Sequence, residues 1–250
     1  MIEFPVEGGT TRFLAFYYHK DAARIGPVRS ARPYLAEKAN EYGAVLTHVG
    51  KSPQTDTYFK KNNTEHIDEM PNTPGFWREN NRKAPHNLYT STMNMWDNLL
   101  KNGQVGTKSL QGLKFQTDAI LHNAKDSAGT TIFYPYGEVV YQYQPVDKDY
   151  LRFISGKAHI DAENFLPLRM KNIIIQFVDT KILDGEGRLS LNLNSKGRAI
   201  ISSGGKTTEG TWEKQSNDVT KYFDADGKEV ILPPGQTWIE IVQSNMHIDY

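Results

Sequence analysis

The sequence contains no cysteine, which excludes disulfides, thiolate metal ligands and cysteine nucleophiles. It has no run of about 18 or more apolar residues, so no segment has the hydropathy of a transmembrane helix. No secretory signal peptide is visible. Lysine plus arginine balance aspartate plus glutamate at 29 each. Charge therefore gives no reason to expect a nucleic acid or an anionic membrane as partner, and any basic site must be local.

What the chain does contain is enough apolar sequence for a folded core. Hydrophobic residues make up 38% of the chain and aromatic residues 11%. A length of 250 residues corresponds to one large domain or two ordinary ones. We therefore expect a globular protein and not a disordered chain.

The first part of the chain has the pattern of alternating strands and helices. Residues 13–18 (F-L-A-F-Y-Y) form a short apolar run typical of a buried strand, and residues 45–49 form a second. Between them, Pro33 suits the first position of a helix and Gly43 suits its end. This order predicts a βαβ unit with parallel strands. A short helix is also expected near 56–61.

A further helix is predicted before the middle of the chain. Thr90 or Ser91 would cap its N-terminus. Met93, Trp96 and Leu100 recur at helical spacing, so we expect these three side chains to face the core.

Beyond about residue 124 the chain shows period-2 strand patterns separated by glycine-rich turns. The predicted strands lie at 139–143, 173–178, 189–193, 199–201 and 238–242. We therefore predict an α+β protein with two domains. The first, at 1–125, is an α/β domain with a βαβ unit and a partly parallel sheet. The second, at 131–250, is a mostly antiparallel all-β domain.

The first candidate site is the segment 24–34, R-I-G-P-V-R-S-A-R-P-Y. It places arginines next to a helix N-terminus, where a cation is unfavourable by about 0.3–1 kcal/mol. Sequences break such rules where a site requires it, so we interpret Arg29, Ser30 and Arg32 as ligand-binding. His48 ends the next strand, and we expect it at the same sheet edge, where ligands of such units bind. Alternatively, the arginines are solvated or pair with carboxylates.

The second candidate cluster lies in the chain directly before the predicted helix that Thr90 or Ser91 would cap. It contains two cations, an imidazole, an amide and a phenol, supplied by Arg78, Arg82, His86, Asn87 and Tyr89. Free N–H groups at a helix N-terminus also favour anions. Together the two clusters predict an arginine-rich cleft for an anionic ligand. The alternative is an ordered loop whose polar side chains only satisfy its own backbone.

No pattern predicts a metal site or a cofactor. The H-I-D strings at 159–161 and 247–249 supply only two potential ligands each. The D-A-D-G string at 224–227 lacks the distal glutamate of a calcium loop and is typical of a hairpin turn. We predict no metal and no cofactor. Catalytic residues stay open, with His48 and His86 as candidates for a general base.

Several strings in this chain match a known pattern. The most specific are I-G-P-V-R-S-A-R at 25–32 and A-P-H-N-L-Y-T at 84–90. Others are V-E-G-G-T-T-R-F-L-A-F at 6–16, D-G-E-G-R at 184–188 and L-P-P-G-Q-T-W-I at 232–239. With these strings the chain resembles the YerB-like putative lipoproteins, a bacterial family of unknown function with two successive conserved domains (DUF3048).

The resemblance implies an extracytoplasmic protein that is anchored to the membrane as a lipoprotein in its full-length form. The lipid-bearing cysteine is absent from this chain. The resemblance supplies no reaction and no catalytic residues. It also implies an opening strand before the E-G-G string at 7–9. We expect that strand to be missing here, which would leave a sheet edge unpaired.

Three functions are compatible with these patterns. The first is a non-enzymatic envelope module whose arginine-rich cleft binds a wall polymer, a peptide or a protein partner through anionic or carboxylate groups. The second is an envelope hydrolase or transferase with a histidine general base and arginines that stabilise an oxyanion or phosphoryl group. The third is a structural or interaction protein without a small-ligand site. We favour the first, because no nucleophile and base are paired in the sequence.

Overall fold

The computed structural model describes residues 1–18, 20–70, 72–104, 112–216 and 218–250. The helices in these ranges are α1 (Pro33–Glu41), α2 (Pro53–Asn62) and α3 (Thr92–Lys101). None of these helices is long and apolar enough to span a bilayer. The strands in the same ranges are, in chain order, β1 (Ile2–Pro5), β2 (Thr11–Leu14), β3 (Leu46–His48), β4 (His66–Asp68), β5 (Trp77–Arg78), β6 (Leu88–Tyr89), β7 (Lys114–Phe115), β8 (Lys125–Asp126), β9 (Gly129–Tyr134), β10 (Gly137–Gln144), β11 (Asp149–Ile154), β12 (Lys157–Ala158), β13 (Arg169–Met170), β14 (Asn172–Val178), β15 (Thr180–Ile182), β16 (Leu189–Leu191), β17 (Lys196–Ser203), β18 (Lys206–Glu213), β19 (Lys221–Phe223), β20 (Ile231–Leu232), β21 (Thr237–Gln243) and β22 (Ile248–Asp249).

The chain divides into two compact units. Unit 1 contains Met1–Ala15 and Gly112–Tyr250, and unit 2 contains Phe16–Gln111. This division differs from the predicted boundaries, 1–125 and 131–250, because the first strands belong to a sheet of the C-terminal part. There, β1 runs parallel to β21 and antiparallel to β2.

From the sequence we expected the opening strand to be missing. The structure contains it, as β1. β1 directly precedes the 3-10 turn at Glu7–Gly9, and its Ile2 and Phe4 side chains are buried. A buried strand needs hydrogen-bond partners along both edges, and β21 and β2 provide them. The expectation of a missing strand was therefore wrong.

Unit 1 is built from two sheets with a shared core. The larger sheet has the order β19-β18-β17-β14-β21-β1-β2, with β8 also paired to β18. The smaller has the order β12-β11-β10-β9-β22, with β13 also paired to β11. Side chains from both sheets form one hydrophobic cluster, and every residue of β14 is buried. The predicted all-β domain with mostly antiparallel strands is confirmed, and β1–β21 and β14–β21 are its parallel pairs in the larger sheet.

Unit 2 contains the βαβ unit, but one element later than predicted. β3 pairs in parallel with β4 across α2, with Leu46 opposite His66 and His48 opposite Asp68. The helix expected near 56–61 is therefore confirmed as the crossover helix α2. The predicted pairing of the first apolar run with β3 was wrong, because the buried strand β1 takes β2 as its partner.

Helix α3 presents its apolar side chains to solvent. Met93, Trp96 and Leu100 are 70%, 46% and 62% exposed. The prediction that these side chains face the core was therefore wrong. The helical period was interpreted correctly, but the face of α3 that packs against the rest of unit 2 is the polar one.

Two asparagines attach the polar face of α3 to a neighbouring loop. Asn94 Nδ2 donates to Gly75 O at 2.8 Å, and Asn98 Nδ2 donates to Pro74 O at 2.9 Å. Gly75 has φ of +91°, and a Cβ there would lie 2.8 Å from Asn94 Cβ. Hydrogen bonds from side-chain amides to the backbone therefore replace apolar packing on this face.

This inversion predicts which α3 substitutions matter for stability. Asn98→Ala should lower the free energy of unfolding of unit 2 by about 1–3 kcal/mol, because carbonyl oxygens lose their donor. Trp96→Ala should change it by less than about 0.5 kcal/mol, because the side chain is exposed. Urea unfolding followed by amide resonances of unit 2 measures both. A larger loss for Trp96→Ala than for Asn98→Ala would contradict the described packing.

A buried ionic network lies in the core of unit 1. Glu3 and Arg152 are fully buried, and Arg152 Nη2 donates to Glu3 Oε2 at 2.7 Å. Glu3 also accepts hydrogen bonds from Trp238 Nε1 at 3.1 Å and from Thr11 Oγ1 at 2.6 Å. Arg152 Nη1 lies 2.7 Å from His159 Nδ1, which must accept because guanidinium only donates.

The second carboxyl of this network carries a raised pKa. Glu240 is the register partner of Glu3 on β21 and accepts hydrogen bonds from Tyr134 at 2.7 Å and Tyr141 at 2.5 Å. Burial, and then the charge of Glu3, raise the pKa of Glu240 to about 8. One guanidinium thus faces two adjacent carboxyls, and at neutral pH Glu240 holds the extra proton. We call Glu3, Arg152, Glu240, Tyr134 and Tyr141 the buried network.

Candidate functional site

The segment 24–32 is positioned between two other parts of unit 2. Val28 N donates to Leu88 O at 2.8 Å on one side, and Ala31 N donates to Gly50 O at 3.0 Å on the other. These backbone bonds place the two predicted clusters next to each other. Spacing in the sequence could not establish that proximity.

Arg29 is the arginine of the first cluster that reaches the second. Its side chain is half-buried, and Nη1 donates to Pro85 O at 2.7 Å. In the part of unit 2 that the structure describes, Arg29 forms no ion pair with a carboxylate. Arg82, Lys83 and His86 are exposed around the same turn, and we call these three residues the basic tip. One half-buried cation and three exposed basic side chains therefore share one end of the β5–β6 hairpin.

The remaining residues of the second cluster hold this hairpin together. Arg78 Nη1 donates to Asn87 Oδ1 at 3.1 Å, and Asn87 Nδ2 donates to Glu79 O at 3.0 Å. Arg24 forms an ion pair with Glu79 at 3.2 Å and lies over the ring of Tyr89 at 5.7 Å. Asn87 and Tyr89 are buried. These side chains support the basic tip from behind and have their own partners inside the protein.

Arg32 and Ser30 have different surroundings from Arg29. Arg32 is buried at the N-cap of α1, and its Nη1 donates to Ala31 O at 2.9 Å. A backbone carbonyl thus contacts the charge that the helix terminus disfavours. Ser30 is half-buried beside Gly50, whose φ is +63°. The structure does not bring Arg32 to the basic tip.

His48 has no ring nitrogen free for a substrate. It is buried, with Nδ1 2.9 Å from Gly50 O and Nε2 3.0 Å from His66 Nδ1. Because a carbonyl oxygen only accepts, Nδ1 carries the hydrogen and Nε2 accepts from His66. Burial lowers the pKa of His48 to about 4, against an opposing effect of Asp68. The interpretation of His48 as an accessible general base is therefore wrong.

The structure adds His66, which sequence reasoning did not place at this site. Its ring stacks on Phe59 at 4.0 Å, and burial followed by the charge of Lys51 lowers its pKa. Asp68, two residues further on, accepts from Gly50 N at 2.8 Å and Lys51 Nζ at 3.1 Å. No sequence motif marks His66, because its partner is reached only through the parallel pairing of β3 and β4.

Two observations limit the chemistry of the site. His86 has no hydrogen bond to a serine or a carboxylate in the described residues, so no oriented general base is assembled there. Across the described ranges, no group of three or more histidine, aspartate or glutamate side chains could hold a metal ion. The arrangement around Arg29 supplies hydrogen-bond donors and positive charge, which suit an anion.

Comparison with known proteins gives the family. Residues 1–105 match the N-terminal domain, and residues 130–239 the C-terminal domain, of the protein of unknown function DUF3048. The chain belongs to the DUF3048 family. It is 31% identical over 254 aligned residues to the "Putative lipoprotein YerB" of Bacillus subtilis, covering 97% of this chain and 74% of that protein.

A solved structure agrees with this assignment. The crystal structure of the YerB protein from Bacillus subtilis matches with a TM-score of 0.88 and 29% identity. The match covers 100% of this chain and 85% of that one. The resemblance stated from the sequence is therefore confirmed, and with it the two-part α+β fold. The DUF3048 family has no known function, so a role for this chain must be argued from its own residues.

Proposed function

We propose that this DUF3048 protein is a cell-envelope protein that binds an anionic or carboxylate-bearing ligand through Arg29 and the basic tip. The observation that supports this most is the state of Arg29. It is half-buried, held by the carbonyl of Pro85, and has no carboxylate partner among the described residues. A guanidinium carries five donors, and Pro85 engages only one of its nitrogens.

Its fixed position makes Arg29 the strongest contributor, because Pro85 O already holds the guanidinium. A charge-assisted hydrogen bond from such a group is worth about 1.5–3 kcal/mol, whereas an ion pair of a mobile exposed side chain is worth about 0–1 kcal/mol. Arg29 therefore supplies most of the affinity, and Arg82 and Lys83 widen the positive surface. The single acidic side chain of the segment 76–90, Glu79, already pairs with Arg24.

The envelope location and the class of partner form part of the proposal. A relative with 31% identity is named a lipoprotein, which supports a protein held at the outer face of a membrane. Wall polymers carry phosphate or carboxylate groups, and envelope proteins carry acidic side chains. Either would present to Arg29 the planar, anionic oxygen pairs that guanidinium binds best.

Binding should depend on Arg29 more than on the basic tip. We expect Arg29→Gln to weaken binding of pyrophosphate or citrate about tenfold or more, because a charge-assisted hydrogen bond from a guanidinium held in place by Pro85 is lost. Arg82→Gln should weaken it only about two- to threefold, as an exposed charge. Isothermal titration at low ionic strength measures both, with pyrophosphate and citrate separating phosphate from carboxylate recognition. A pull-down with purified cell-wall material tests the natural class of ligand.

The matched control is Arg169→Gln, which removes the same charge from unit 1. Arg169 is paired with Asp147 and Asp149, so its loss should not affect either anion. Equal affinity of the Arg29→Gln variant and the unchanged protein would refute the proposal. An equal loss in the Arg169→Gln variant would show that only net charge matters.

The alternatives have less support from the geometry. A hydrolase or transferase needs an accessible base, whereas His48 has both nitrogens engaged and His86 has no orienting partner in the described residues. A purely structural role for the arginines requires closed salt bridges. Arg24 forms one with Glu79, but Arg29 does not pair with a carboxylate in the described chain.

A further inference from the structure

A separate cavity lies in unit 1, at one end of the larger sheet. Its volume is about 110 Å³, and it opens where β14 ends and β17 begins. Phe177 and Trp212 line it and are almost fully buried, so they form its floor. Trp212 Nε1 donates to Phe177 O at 2.7 Å, which fixes the indole in place.

Gly197 keeps the wall of this cavity free of side-chain atoms. A Cβ at this position would lie 2.7 Å from Trp212 Nε1 and 2.9 Å from Phe177 O. Any larger residue would therefore disturb the hydrogen bond that holds the floor. The close approach of backbone to indole gives the site a rigid base.

The rim of the cavity is polar and has unused hydrogen-bonding capacity. It consists of Asp179, Asn192, Ser195, Lys196 and Ser244. In the described part of the chain, none of these five side chains has a hydrogen bond or ion pair with another residue. Polar groups around an apolar base are a common arrangement of small-molecule sites.

The charges at this rim are opposite and separate. Asp179 and Lys196 line the same cavity without forming an ion pair in the described chain. The third charge, Arg198, is already occupied by Glu209 at 3.4 Å and lies over the Phe177 ring at 4.6 Å. Asp179 and Lys196 thus both line the cavity, each without an ion-pair partner in the described chain, and a molecule with both charges would satisfy both.

We propose that this cavity binds a small α-amino acid in its zwitterionic form. The carboxylate of the ligand pairs with Lys196 and its ammonium group with Asp179. Asn192 and the two serine hydroxyls accept or donate the remaining hydrogen bonds. The volume equals that of roughly four water molecules, which fits the head group and a short side chain. A simple anion or a simple cation would engage only one of the two charges and face the other as a like charge.

Three probes of similar size separate the charges. Glycine carries both charges, acetate only the negative one and methylammonium only the positive one. We expect glycine to shift the amide resonances of residues 192–198 with a saturable curve, and acetate and methylammonium to bind about two- to threefold more weakly. Asp179→Asn and Lys196→Met should each weaken glycine binding about two- to threefold, because each removes one exposed charged partner. Both side chains are exposed, so neither variant should impair folding.

Lys157→Met is the control, because Lys157 is exposed on β12 and is not part of the cavity. It should bind glycine like the unchanged protein. Failure of glycine to bind, equal binding of acetate or methylammonium, or full binding by either cavity variant would each overturn the proposal. None of these outcomes bears on Arg29, which belongs to unit 2.

Discussion

Replacing Arg152 with methionine is expected to lower the free energy of unfolding of unit 1 by about 3–5 kcal/mol at neutral pH. The reason is that the fully buried Glu3 carboxylate loses the guanidinium that pairs with it. Urea unfolding followed by the amide resonances of residues 172–178 reports on unit 1 alone.

Arg169→Met is the comparison for this experiment. Arg169 forms ion pairs with Asp147 and Asp149; Arg169 and Asp147 are exposed to solvent, and Asp149 is half-buried. Its replacement should cost less than about 1 kcal/mol. A triple variant with Glu3→Gln, Glu240→Gln and Arg152→Met should recover most of the loss, because no uncompensated charge is left. A loss below about 1 kcal/mol for Arg152→Met would show that the buried network is not ionised as described.

The contribution of Glu240 to the stability of unit 1 is expected to fall as the pH rises from about 4.5 to about 8. In this window the native Glu240 keeps its proton while the unfolded carboxyl has lost it, since the pKa rises from 4.5 to about 8 on folding. The unfolded state then binds fewer protons, so the free energy of unfolding falls by up to about 1.4 kcal/mol per pH unit. Glu240→Gln has no such proton and should lack this fall.

The difference in free energy of unfolding between the Glu240→Gln variant and the unchanged protein isolates the contribution of Glu240. Burial, followed by the charge of Arg152, lowers the pKa of His159 to about 4, which makes the protein less stable in acid. The contribution of His159 is the same in both proteins, so it cancels in the difference between their free energies of unfolding. Urea unfolding at several values between pH 5 and pH 9 should show Glu240→Gln gaining stability over the unchanged chain as the pH rises. Parallel curves would mean that Glu240 is already ionised at pH 5.

Much of unit 1 could be predicted from the sequence because strand patterns are local. The alternation in 238–242 identifies β21, and it also places Glu240 on the same face as the buried Trp238 and Val242. A charged residue at an inward position was therefore a visible signal of the buried network. Its partner Arg152 was not predictable, because the contact joins strands that are far apart in the chain.

The errors in unit 2 have the same physical origin. The period of α3 correctly grouped Met93, Trp96 and Leu100 on one face, but period alone does not say which face packs. The packing face is decided by hydrogen bonds from two asparagines of α3 to a loop about twenty residues away in the chain. Likewise, β2 had the composition of a βαβ strand, and only the presence of β1 explains why it pairs elsewhere.

The candidate site was predictable in part. The basic composition of 24–34 and 78–89 indicated an anion site, but sequence could not distinguish Arg29 from Arg32. Their difference arises from the fold, since Arg32 turns back to Ala31 O while Arg29 reaches Pro85 O. The engagement of His48 by His66 also depends on the register of two parallel strands.

The most direct test of the proposed function is to locate a bound anion on the whole chain. Amide spectra recorded during titration with pyrophosphate and with citrate should show saturable shifts at residues 28–30 and 82–87. Resonances around Arg169 should not move. Shifts that spread evenly over exposed lysines and arginines, or that leave Arg29 and the basic tip unchanged, would contradict the account.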